Sequence, residues 1–518
     1  MYTISTSAFN IDNLKFVIYP TGFACVIILW AIYCILVALY NVSPLHPLFH
    51  IPGPRLAAAS YIYEAYHDWW RGGKFGHEIR RMHECYGPIV RINPDELHCS
   101  DPAFTDHIYA GSGQIRDKWL HQMNSSGVGP ISSSTFSTIP HELHRARRAA
   151  VSKFFSRRQV LQYEDEVYEL ACLTVDKMLR WAGKEPFDVR EAYNCFTADV
   201  ISQYAFGQPV GFVSQSGWKP NFATWIKPFT RCVHMFRFNA PIRILAGALP
   251  RFAEYMSEDF KPFVRQLNVT IPGYIDAAKE TPGKGRIFTE LIQSNLLTES
   301  DKSISRLSGE GFLLFGAGTE TTSAVLAVTT YRLLAEPAIY ANLMKDLDGI
   351  DPCNLRLIEL ERRPYFWAVI HEALRMMPGV AMRSARIARN EDLIYKSRDG
   401  DAWVIPKGTP IAMSSMVNHW DQELFPNPDE FLPERWLIDG EPNKTLQKRL
   451  ISFGKGSRSC LGENLAYCEL YIMLALMAFR VLPRARLHNS TIENIQYDHE
   501  LIVIQSKKGP ISVMLELS

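Results

Sequence analysis

The chain opens with a strongly apolar segment. Residues 16–40 contain no aspartate, glutamate, lysine, arginine or histidine. A helix of that length crosses a hydrocarbon core of about 30 Å. A cleaved signal peptide is the alternative, but the apolar run is too long, Lys15 is the only basic residue before it, and no small-residue cleavage site is obvious. We therefore predict a retained, single-pass transmembrane anchor over residues 1–42.

A proline-rich segment follows the anchor. Four prolines fall within residues 43–57, and proline fixes φ and ends helices. We predict a stiff hinge here that sets the height and tilt of the body over the membrane, although each proline suits an ordinary linker equally well. Residues 58–518 show no repeat, low-complexity tract or second linker, which favours one large domain over several.

Within that domain the spacing of apolar residues is mostly helical. After Pro364, which suits a first helical turn, apolar positions recur at three- and four-residue steps: Phe366, Val369, Ile370, Ala373 and Met377. Residues 403–411 are predicted to form a hairpin with proline and glycine in its turn, and residues 511–515 alternate like an edge strand. The pattern predicts a mainly α fold with a small β component.

Composition and charge mainly exclude certain classes of protein. The chain has 55 basic and 54 acidic residues, a net charge of +1, which argues against a nucleic-acid binder held by bulk charge. Hydrophobic residues at 47% and charged residues at 21% exclude a largely disordered chain. Ten cysteines are too sparse for a disulfide scaffold. None forms a Cys-x-x-Cys pair, which excludes zinc ribbons and thioredoxin-like motifs.

The charges that flank the apolar run predict its orientation. Lys15 precedes the run, whereas five basic residues follow it: Arg55, Arg71, Lys74, Arg80 and Arg81. By the positive-inside rule the body then lies on the cytoplasmic side of the membrane. Unpaired cysteines agree with that reducing compartment.

The most informative motif is a cysteine bracketed by glycines. Residues 453–462 read Phe-Gly-Lys-Gly-Ser-Arg-Ser-Cys-Leu-Gly, and an apolar helix is predicted to follow. A glycine turn that enters a helix directs backbone N–H groups at an anion such as a thiolate. Arg458 adds positive charge, which should lower the pKa of the Cys460 thiol. We predict a metal-ligating or nucleophilic thiolate; the alternatives are an inert buried cysteine and a phosphate loop, whose Gly-x-x-x-x-Gly-Lys-Ser/Thr spacing is absent.

This segment resembles the haem-binding loop of the cytochrome P450 family, whose pattern is Phe-x-x-Gly-x-Arg-x-Cys-x-Gly. All the fixed positions are matched: Phe453, Gly456, Arg458, Cys460 and Gly462. The resemblance implies a P450 fold and a haem b cofactor. It implies that Cys460 is the axial thiolate of the haem iron, a ligand that favours O–O cleavage. Arg458 would pair with a haem propionate, and backbone N–H groups after Cys460 would tune the sulfur.

A second motif lies in a long apolar helix predicted over residues 312–334. Its sequence at 316–322 is Gly-Ala-Gly-Thr-Glu-Thr-Thr, and glycine and threonine are poor choices for a helix interior. Alone, this favours a helix-packing notch. Beside the cysteine loop it resembles the family's oxygen-activation motif, Ala/Gly-Gly-x-Asp/Glu-Thr-Thr/Ser. The resemblance implies three roles for four residues: room for dioxygen at Ala317 and Gly318, a hydrogen bond to oxygen from Thr321, and proton relay through Glu320.

Glu372 and Arg375 lie three residues apart, on one face of the helix after Pro364. Such a pair is usually a solvated ion pair. With residues 433–436, Pro-Glu-Arg-Trp, it resembles the family's Glu-x-x-Arg and Pro-Glu-Arg triad. The resemblance implies that Glu372, Arg375 and Arg435 lock the region beneath the haem in a structural role. Removing one member of a buried cluster of this kind is strongly destabilising.

Three further basic residues are candidate propionate ligands. His144 and Arg148 resemble the family's Trp-x-x-x-Arg helix, with histidine where tryptophan is usual. The neighbouring His-Glu-Leu-His sequence at 141–144 is one residue short of the zinc motif His-Glu-x-x-His. Arg386 matches the third propionate contact of the family, and Arg383 is the competing choice.

The motifs occur in family order along nearly the whole chain, and residues 86–94 resemble fungal members of the trichodiene-oxygenase-like group. The resemblance implies a haem-thiolate monooxygenase of fungal secondary metabolism that inserts one oxygen atom from O2 into an apolar small molecule. A terpenoid or polyketide intermediate is the first choice of substrate, and a fatty acid or aromatic acid the second. Candidate pocket residues, each equally suited to the core, are Phe312, Phe315, Val380 and Met382.

The implied partners follow from the same resemblance. Electrons would come from NADPH through a separate NADPH-cytochrome P450 reductase, with cytochrome b5 as a further candidate donor. Candidate docking charges, equally explained by solvation, are Lys444, Lys448, Arg449 and Lys455. The anchor implies contact with membrane lipid in the endoplasmic reticulum, with the catalytic domain in the cytosol and no nucleic-acid partner. The alternatives are a haem-thiolate isomerase or dehydratase that needs no external electrons, and a non-catalytic haem sensor.

Overall fold

The computed structural model describes residues 20–111, 113–247, 258, 260–280, 286–397 and 400–518. Short 3-10 and π-helical turns join the main elements, among them a π-helical segment at Tyr66–Trp70. The α-helices in chain order are α1 (Pro20–Asn41), α2 (Arg55–Ala59), α3 (Ile62–Ala65), α4 (Phe75–Tyr86), α5 (Thr105–Ile108), α6 (Leu120–Met123), α7 (His141–Ser152), α8 (Arg157–Leu179), α9 (Val189–Phe206), α10 (Phe222–Phe238), α11 (Ala240–Ala246), α12 (Lys261–Arg265), α13 (Ile271–Glu280), α14 (Arg286–Gln293), α15 (Ile304–Ala335), α16 (Pro337–Asp346), α17 (Leu357–Leu360), α18 (Pro364–Met376), α19 (Ser415–Asn418), α20 (Lys444–Gln447) and α21 (Glu463–Leu476).

The strands are short and form small sheets. The strands in chain order are β1 (Ile89–Arg91), β2 (Leu97–Cys99), β3 (Arg116–Lys118), β4 (Phe187–Asp188), β5 (Arg386–Ala388), β6 (Leu393–Lys396), β7 (Ala402–Ile405), β8 (Pro410–Ala412), β9 (Leu437–Ile438), β10 (Glu441–Pro442), β11 (Ala485–Leu487), β12 (His499–Glu500), β13 (Ile504–Ser506), β14 (Gly509–Pro510) and β15 (Met514–Leu517). The largest sheet has the order β1-β2-β8-β5-β3, and β2 and β8 are its parallel pair. The predicted mainly α fold with a small β component is confirmed.

The core is organised around α15, which packs along α9, while α21 packs on α8 and α15. Two glycines explain how neighbouring helices approach α15. A Cβ on Gly318 would lie 3.0 Å from Ile201 of α9, and a Cβ on Gly316 would lie 3.3 Å from Ile226 of α10. The glycines of the 316–322 motif therefore serve helix packing, whatever else the motif does.

The strand pairings predicted for residues 403–411 and 511–515 are wrong. β7 and β8 do not form a hairpin, because β7 pairs with β6 and β8 pairs with β2 and β5. A turn does occur between them, with Gly408 at φ +86°, but it directs the chain from one sheet into another. β15 lies between β11 and β4, so it is a central strand and not an edge strand.

The N-terminal helix α1 leaves the body with its apolar side chains exposed. Its segment Phe23–Asn41 has the length and hydropathy to cross a membrane and is not buried by the protein, whereas the similarly apolar Ile304–Ala335 and Glu463–Arg484 are mostly buried. The carbonyl of Asn41 accepts a hydrogen bond from buried Arg91 (2.9 Å), so the end of α1 is fastened to the sheet. Residues 1–19 of the predicted anchor lie outside the described part of the chain.

Candidate active site

Cys460 lies in a tight loop just before α21. Its backbone N–H donates to the carbonyl of Phe453 (2.7 Å), which closes the loop on itself. Gly456 has φ +70°, and a Cβ there would lie 2.0 Å from the carbonyl oxygen of Tyr109, so only glycine fits. Gly462 is the N-cap residue of α21. The loop therefore presents the cysteine at the N-terminal end of a long helix.

The predicted lowering of the Cys460 pKa is wrong. Part of the Cys460 side chain is exposed to solvent, but the protein around it still buries the thiol enough to control its pKa. The thiol therefore lies in a recess. Burial raises the pKa of this thiol to about 11, against a hydrogen bond from the Gly462 backbone and the charge of Arg148. At neutral pH an unliganded Cys460 is a thiol, which disfavours a nucleophile. Metal ligation remains, because a bound metal ion deprotonates a coordinating thiol.

Five basic side chains, the cation cluster, converge beside this loop: Lys118, His144, Arg148, Arg386 and Arg458. Burial, reinforced by the charges of the other four, lowers the pKa of His144 to about 2. Burial and the neighbouring Arg386 lower the pKa of Arg458 to about 9, and the carboxylate of Asp117 only partly opposes this. The cluster carries an excess of positive charge, which an anionic ligand would neutralise.

Strand pairing forces two members of the cluster together. β3 and β5 are antiparallel, and their register places Lys118 directly opposite Arg386. Both residues are buried, at 5% and 6% exposure. Like charges directly opposite each other destabilise a strand pair. Lys118 was not predicted from the sequence, because its position depends on this register and no local motif shows it.

Replacing Lys118 by methionine is expected to have opposite effects on two quantities. The free energy of unfolding of the apo-protein should rise, because burial, and after it the charges of Arg386 and Arg458, oppose the charged form of Lys118 and lower its pKa well below the ordinary value. Haem retention should fall about tenfold or more, since a hydrogen bond to a charged group contributes about 1.5–3 kcal/mol. Chemical unfolding of apo-protein and haem transfer to apomyoglobin measure the two effects. Exposed Lys153→Met is the control, and faster haem loss with unchanged apo stability would contradict the repulsion argument.

The competing arginines near residue 385 have different partners. Arg383 is paired with Glu96, whose carboxylate oxygens lie 3.0 and 3.1 Å from its Nε, and also with Glu64. Arg386 donates to Ser384 Oγ (2.7 Å) and lies over the ring of Tyr109. Because carboxylates already neutralise Arg383, the contacts favour Arg386 as the anion ligand.

The other two arginines of the cluster fasten the cysteine loop. Arg148 donates to the carbonyl of Ser459 (2.7 Å). Arg458 donates to the carbonyls of Thr138 and Ile139, both at 2.7 Å. The loop, α7 and the segment before α7 are thereby held as one unit around the recess.

The middle of α15 also has an opening to solvent. Ala317 is exposed and Thr321 is half-buried, within a helix whose neighbouring residues are largely buried. The hydroxyl of Thr321 donates to the carbonyl of Ala317 (2.8 Å). Thr321 also borders the turn at Gly379, where an added Cβ would lie 3.2 Å from its own Cβ. A recess therefore runs beside α15 at the predicted oxygen motif.

Glu320 faces α9 and is paired with an arginine. Arg190 Nη2 lies 2.7 Å from Glu320 Oε2, while Oε1 has no hydrogen-bond partner among the described residues. Burial raises the pKa of Glu320 and prevails over the attraction of Arg190. Glu320 and Thr321 thus have separate partners, and the structure does not show a relay between them. Arg190 was not predicted from the sequence, because α9 reaches Glu320 only through tertiary packing.

The structure brings Glu372, Arg375 and Arg435 together. Two nitrogens of Arg375 each lie 2.8 Å from a Glu372 oxygen, and Arg435 Nε lies 3.2 Å from Glu372 Oε1. Trp436 Nε1 (2.8 Å) and the backbone N–H of Leu432 (3.0 Å) also donate to this carboxylate. Glu372 and Arg375 are fully buried, so the carboxylate joins α18 to the segment after it.

His419 connects this triad to the cysteine loop. Its Nδ1 lies 3.0 Å from the carbonyl of Arg375, and its Nε2 accepts from the backbone N–H of Ile451 (3.0 Å). These contacts require a neutral ring protonated on Nδ1. Burial lowers the pKa of His419 to about 3, which maintains that state. A lone histidine carries no local signal, so sequence reasoning missed it.

The four candidate pocket residues divide into two groups. Phe312 and Phe315 are buried and pack against Phe222 of α10, so they belong to the core. Val380 is 44% exposed and Met382 is half-buried. The turn before β5, rather than the phenylalanines of α15, is therefore accessible to a ligand.

The side chains present fit a haem. Cys460 supplies a recessed thiol that iron would ionise and hold. The cation cluster supplies buried positive charge beside it, which matches two propionates. His144, Arg148, Arg386, Arg458 and the unpredicted Lys118 are the residues placed to hold them. Within the part of the chain that the structure describes, no group of three histidine, cysteine, aspartate or glutamate residues forms an alternative metal site.

Comparison with known proteins identifies the family. The family model for cytochrome P450 matches residues 62–511. The cytochrome P450 monooxygenase ppzE of Metarhizium majus is 40% identical over 457 residues, which cover 84% of this chain and 95% of that protein. The cytochrome P450 monooxygenase tpcC of Cochliobolus heterostrophus is 37% identical, over 84% of each chain. N-acetyltryptophan 6-hydroxylase ivoC of Emericella nidulans is 32% identical, over 94% of this chain and 97% of that protein.

The family match extends over most of the chain, well beyond the cysteine loop. It includes the α15 motif, the Glu372 triad and the cysteine loop in a single span. The chain therefore belongs to the cytochrome P450 family of haem-dependent monooxygenases.

Proposed function

We propose that this protein is a membrane-anchored haem-thiolate monooxygenase of fungal secondary metabolism, and that Cys460 is its iron ligand. The observation that carries the proposal is the recessed Cys460 thiol beside the buried cation cluster. The cluster has positive charge that an anion would neutralise, and the thiol would become a thiolate on binding a metal ion. A haem provides both the anion and the metal ion in one ligand.

Some residues of the site would hold the cofactor, and others would leave room above it. Cys460 ligates the iron, and the glycines at 456 and 462 let the loop and the start of α21 approach the sulfur. The cation cluster holds the propionates. Ala317 and Gly318 present little side-chain volume, and we propose that the openings at Ala317 and Cys460 lead into one cavity.

The bound haem, ligated by a thiolate, supplies the activation of dioxygen. The chain's own part is to hold and move protons beside it. The Thr321 hydroxyl, now bonded to the Ala317 carbonyl, can turn toward the cavity and hold a proton there. The Glu320 carboxyl can replace that proton only by leaving Arg190, and its raised pKa favours the protonated form that a donor needs.

Thr321→Ala should separate electron use from substrate oxidation. NADPH consumption with reductase and a bound apolar substrate should continue, but the share of electrons recovered as hydrogen peroxide should rise several-fold. Thr329→Ala is a matched control, since Thr329 makes the same bond to the carbonyl four residues earlier (2.7 Å) and is buried in the core. Equal peroxide yields from Thr321→Ala and wild type would remove Thr321 from the proton path.

The substrate is proposed to be an apolar terpenoid or polyketide intermediate. The exposed Val380 and the recess beside Ala317 give an apolar cavity wall, which suits such molecules. An aromatic acid is the second candidate, and one observation favours it: the relative from Emericella nidulans is named for hydroxylation of N-acetyltryptophan. A fatty acid has less support among these relatives.

The electron source is proposed to be a separate NADPH-cytochrome P450 reductase, with cytochrome b5 as a further donor. Lys448 and Arg449 are exposed and offer docking charge near the cysteine loop, together with Lys455. Lys444 is partly used otherwise, because its Nζ lies 4.4 Å from the ring centre of Trp367. With α1 in the endoplasmic reticulum membrane, in contact with its lipid, the catalytic domain faces the cytosol.

Electron demand distinguishes this proposal from a haem-thiolate isomerase or dehydratase. Membranes containing the protein and a reductase should consume NADPH and transfer one atom of ¹⁸O₂ into an added apolar substrate. Product formation from such a substrate without NADPH or oxygen would instead establish the isomerase or dehydratase. Omission of the reductase is the matched control.

A further inference from the structure

A surface cleft, the basic cleft, lies between the C-terminal end of α8 and the segment that joins α9 to α10. Its volume is about 320 Å³, and it shares no lining residue with the site around Cys460. One wall carries three basic residues, Lys177, Arg180 and Lys184, and the other is formed by residues 213–216. In the described part of the chain its lining includes no aspartate or glutamate. The cleft is therefore concave, cationic and without a carboxylate of its own.

The three basic residues follow one another at steps of three and four positions, so they lie on one side of the helix end. Lys177 is in the last turn of α8, and Arg180 is the C-cap residue. Cations are favoured at the C-terminal end of a helix by its dipole. That preference accounts for the exposed Arg180 and Lys184, but it does not account for a lysine that is buried.

Lys177 is only 7% exposed. Its Nζ donates to the carbonyl of Gly217 (2.7 Å) and lies 4.2 Å from the ring centre of Trp218. Burial lowers the pKa of Lys177, and the attraction of Asp199 at longer range only partly opposes this. The neighbouring Asp176 is paired with Arg480 (2.7 Å) instead. A buried cation without a close carboxylate is costly, and an anion in the cleft would offset that cost.

The wall opposite α8 is held in place by a buried carboxylate. Asp199 of α9, 1% exposed, accepts hydrogen bonds from the backbone N–H groups of Gly211 (2.9 Å), Phe212 (3.1 Å) and Val213 (2.8 Å). These bonds fasten the start of the 213–216 wall to α9. A wall that is already ordered lowers the entropy cost of binding a ligand.

The wall on the α8 side is ordered as well. The indole N–H of Trp181 donates to the carbonyl of Glu185 (3.1 Å), and Lys184 Nζ lies 4.8 Å from the ring centre of Trp181. The cationic groups of the cleft are thus set around a fixed aromatic ring.

We propose that the basic cleft binds a small phosphate-bearing anion with two or more negative charges, such as a phosphate monoester or a diphosphate. Arg180 can donate two N–H groups to neighbouring oxygens of one phosphate, and the two lysines act as point charges. The hydroxyls of Ser214 and Ser216 add neutral donors from the other wall. Three positive charges match a polyanion better than a single carboxylate. This proposal does not rest on the proposed monooxygenase function.

Calorimetric titration of the full-length, haem-loaded protein with inorganic pyrophosphate tests the site. The titration is made at physiological ionic strength, where screening weakens contacts with scattered surface charges. We expect one pyrophosphate per protein, and about tenfold weaker binding by Arg180→Met or Lys184→Met, because a hydrogen bond to a charged group is lost. Both positions are exposed, so neither variant should disturb the fold.

Arg158→Met is the matched control, because Arg158 is exposed at the other end of α8 and its loss removes the same charge. It should bind pyrophosphate as wild type does. No binding by wild type, or equal weakening by Arg158→Met, would overturn the site. Citrate carries its negative charges on carboxylates, so an affinity for citrate equal to that for pyrophosphate would overturn the phosphate class.

Hydrogen exchange of backbone amides locates the anion without reference to the haem. Pyrophosphate should slow exchange at 180–184 and 213–217 in wild type. Slower exchange only at the cysteine loop, 453–462, would place the anion in the cation cluster and overturn the proposal.

Nanodiscs distinguish the two sources of such a phosphate. In neutral phosphatidylcholine nanodiscs, pyrophosphate binding would identify a soluble ligand. Competition from phosphatidic acid in the nanodiscs, abolished in Arg180→Met, would keep the site and assign it to a lipid headgroup.

Discussion

Replacing Glu372 by alanine is expected to remove about 3–5 kcal/mol from the free energy of unfolding, the cost of breaking a buried ion pair by deleting one partner. Arg375 is fully buried and would keep its charge without its carboxylate. Trp436 and Leu432 would lose an acceptor at the same time. A loss of this size is a large share of the stability of an ordinary domain.

The measurement is the yield of soluble, haem-loaded protein together with its unfolding midpoint in urea. Glu372→Gln should fall between alanine and wild type, because an amide keeps acceptor capacity and loses the charge. Glu359→Ala, at an exposed position of α17, is the matched control and should behave like wild type. A Glu372→Ala protein with wild-type yield and midpoint would show that the cluster contributes little to the fold.

Local spacing explains what the sequence predicted well. The cysteine loop, the α15 motif and the Glu-x-x-Arg pair each depend on residues within ten positions of one another. The structure gives the physical reason for one residue of the loop motif: at Gly456 a side chain would meet a backbone carbonyl. The predicted helix near Pro364 is confirmed as α18.

Residues brought together by tertiary packing could not be predicted in this way. Lys118 joins the cation cluster through the register of β3 with β5, and Arg190 meets Glu320 through the packing of α9 on α15. His419 contacts Arg375 and Ile451, each of which is more than thirty residues away from it in sequence. The same limit explains why the strand partners were predicted wrongly. Alternation predicts that residues 511–515 form a half-buried strand, but it does not predict which strands lie beside it.

The pKa of Cys460 shows why a local charge argument can have the wrong sign. Arg458 lies two residues before the cysteine, but its guanidinium is turned to the carbonyls of Thr138 and Ile139. Burial of the thiol then outweighs Arg148 and the helix start. The residue types were right, but only the structure shows where the charge points and how deeply the sulfur lies.

Cys460→Ser is expected to abolish monooxygenase turnover, because a serine hydroxyl cannot supply the thiolate that favours O–O cleavage. The cation cluster is unchanged in this variant, so loss of activity need not mean loss of the fold. Cys468→Ser is a matched control eight residues further along the chain, at a buried position of α21. It should keep wild-type turnover of NADPH with reductase and substrate.

The deciding measurement is the reduced, carbon-monoxide-bound difference spectrum of membranes that contain wild type, Cys460→Ser or Cys468→Ser. Wild type and Cys468→Ser should show the strongly red-shifted Soret band of a thiolate-ligated haem, and Cys460→Ser should lack it. If wild type shows no such band despite good expression and supplied haem, or if Cys460→Ser retains it, then Cys460 is not the ligand and the proposed function fails.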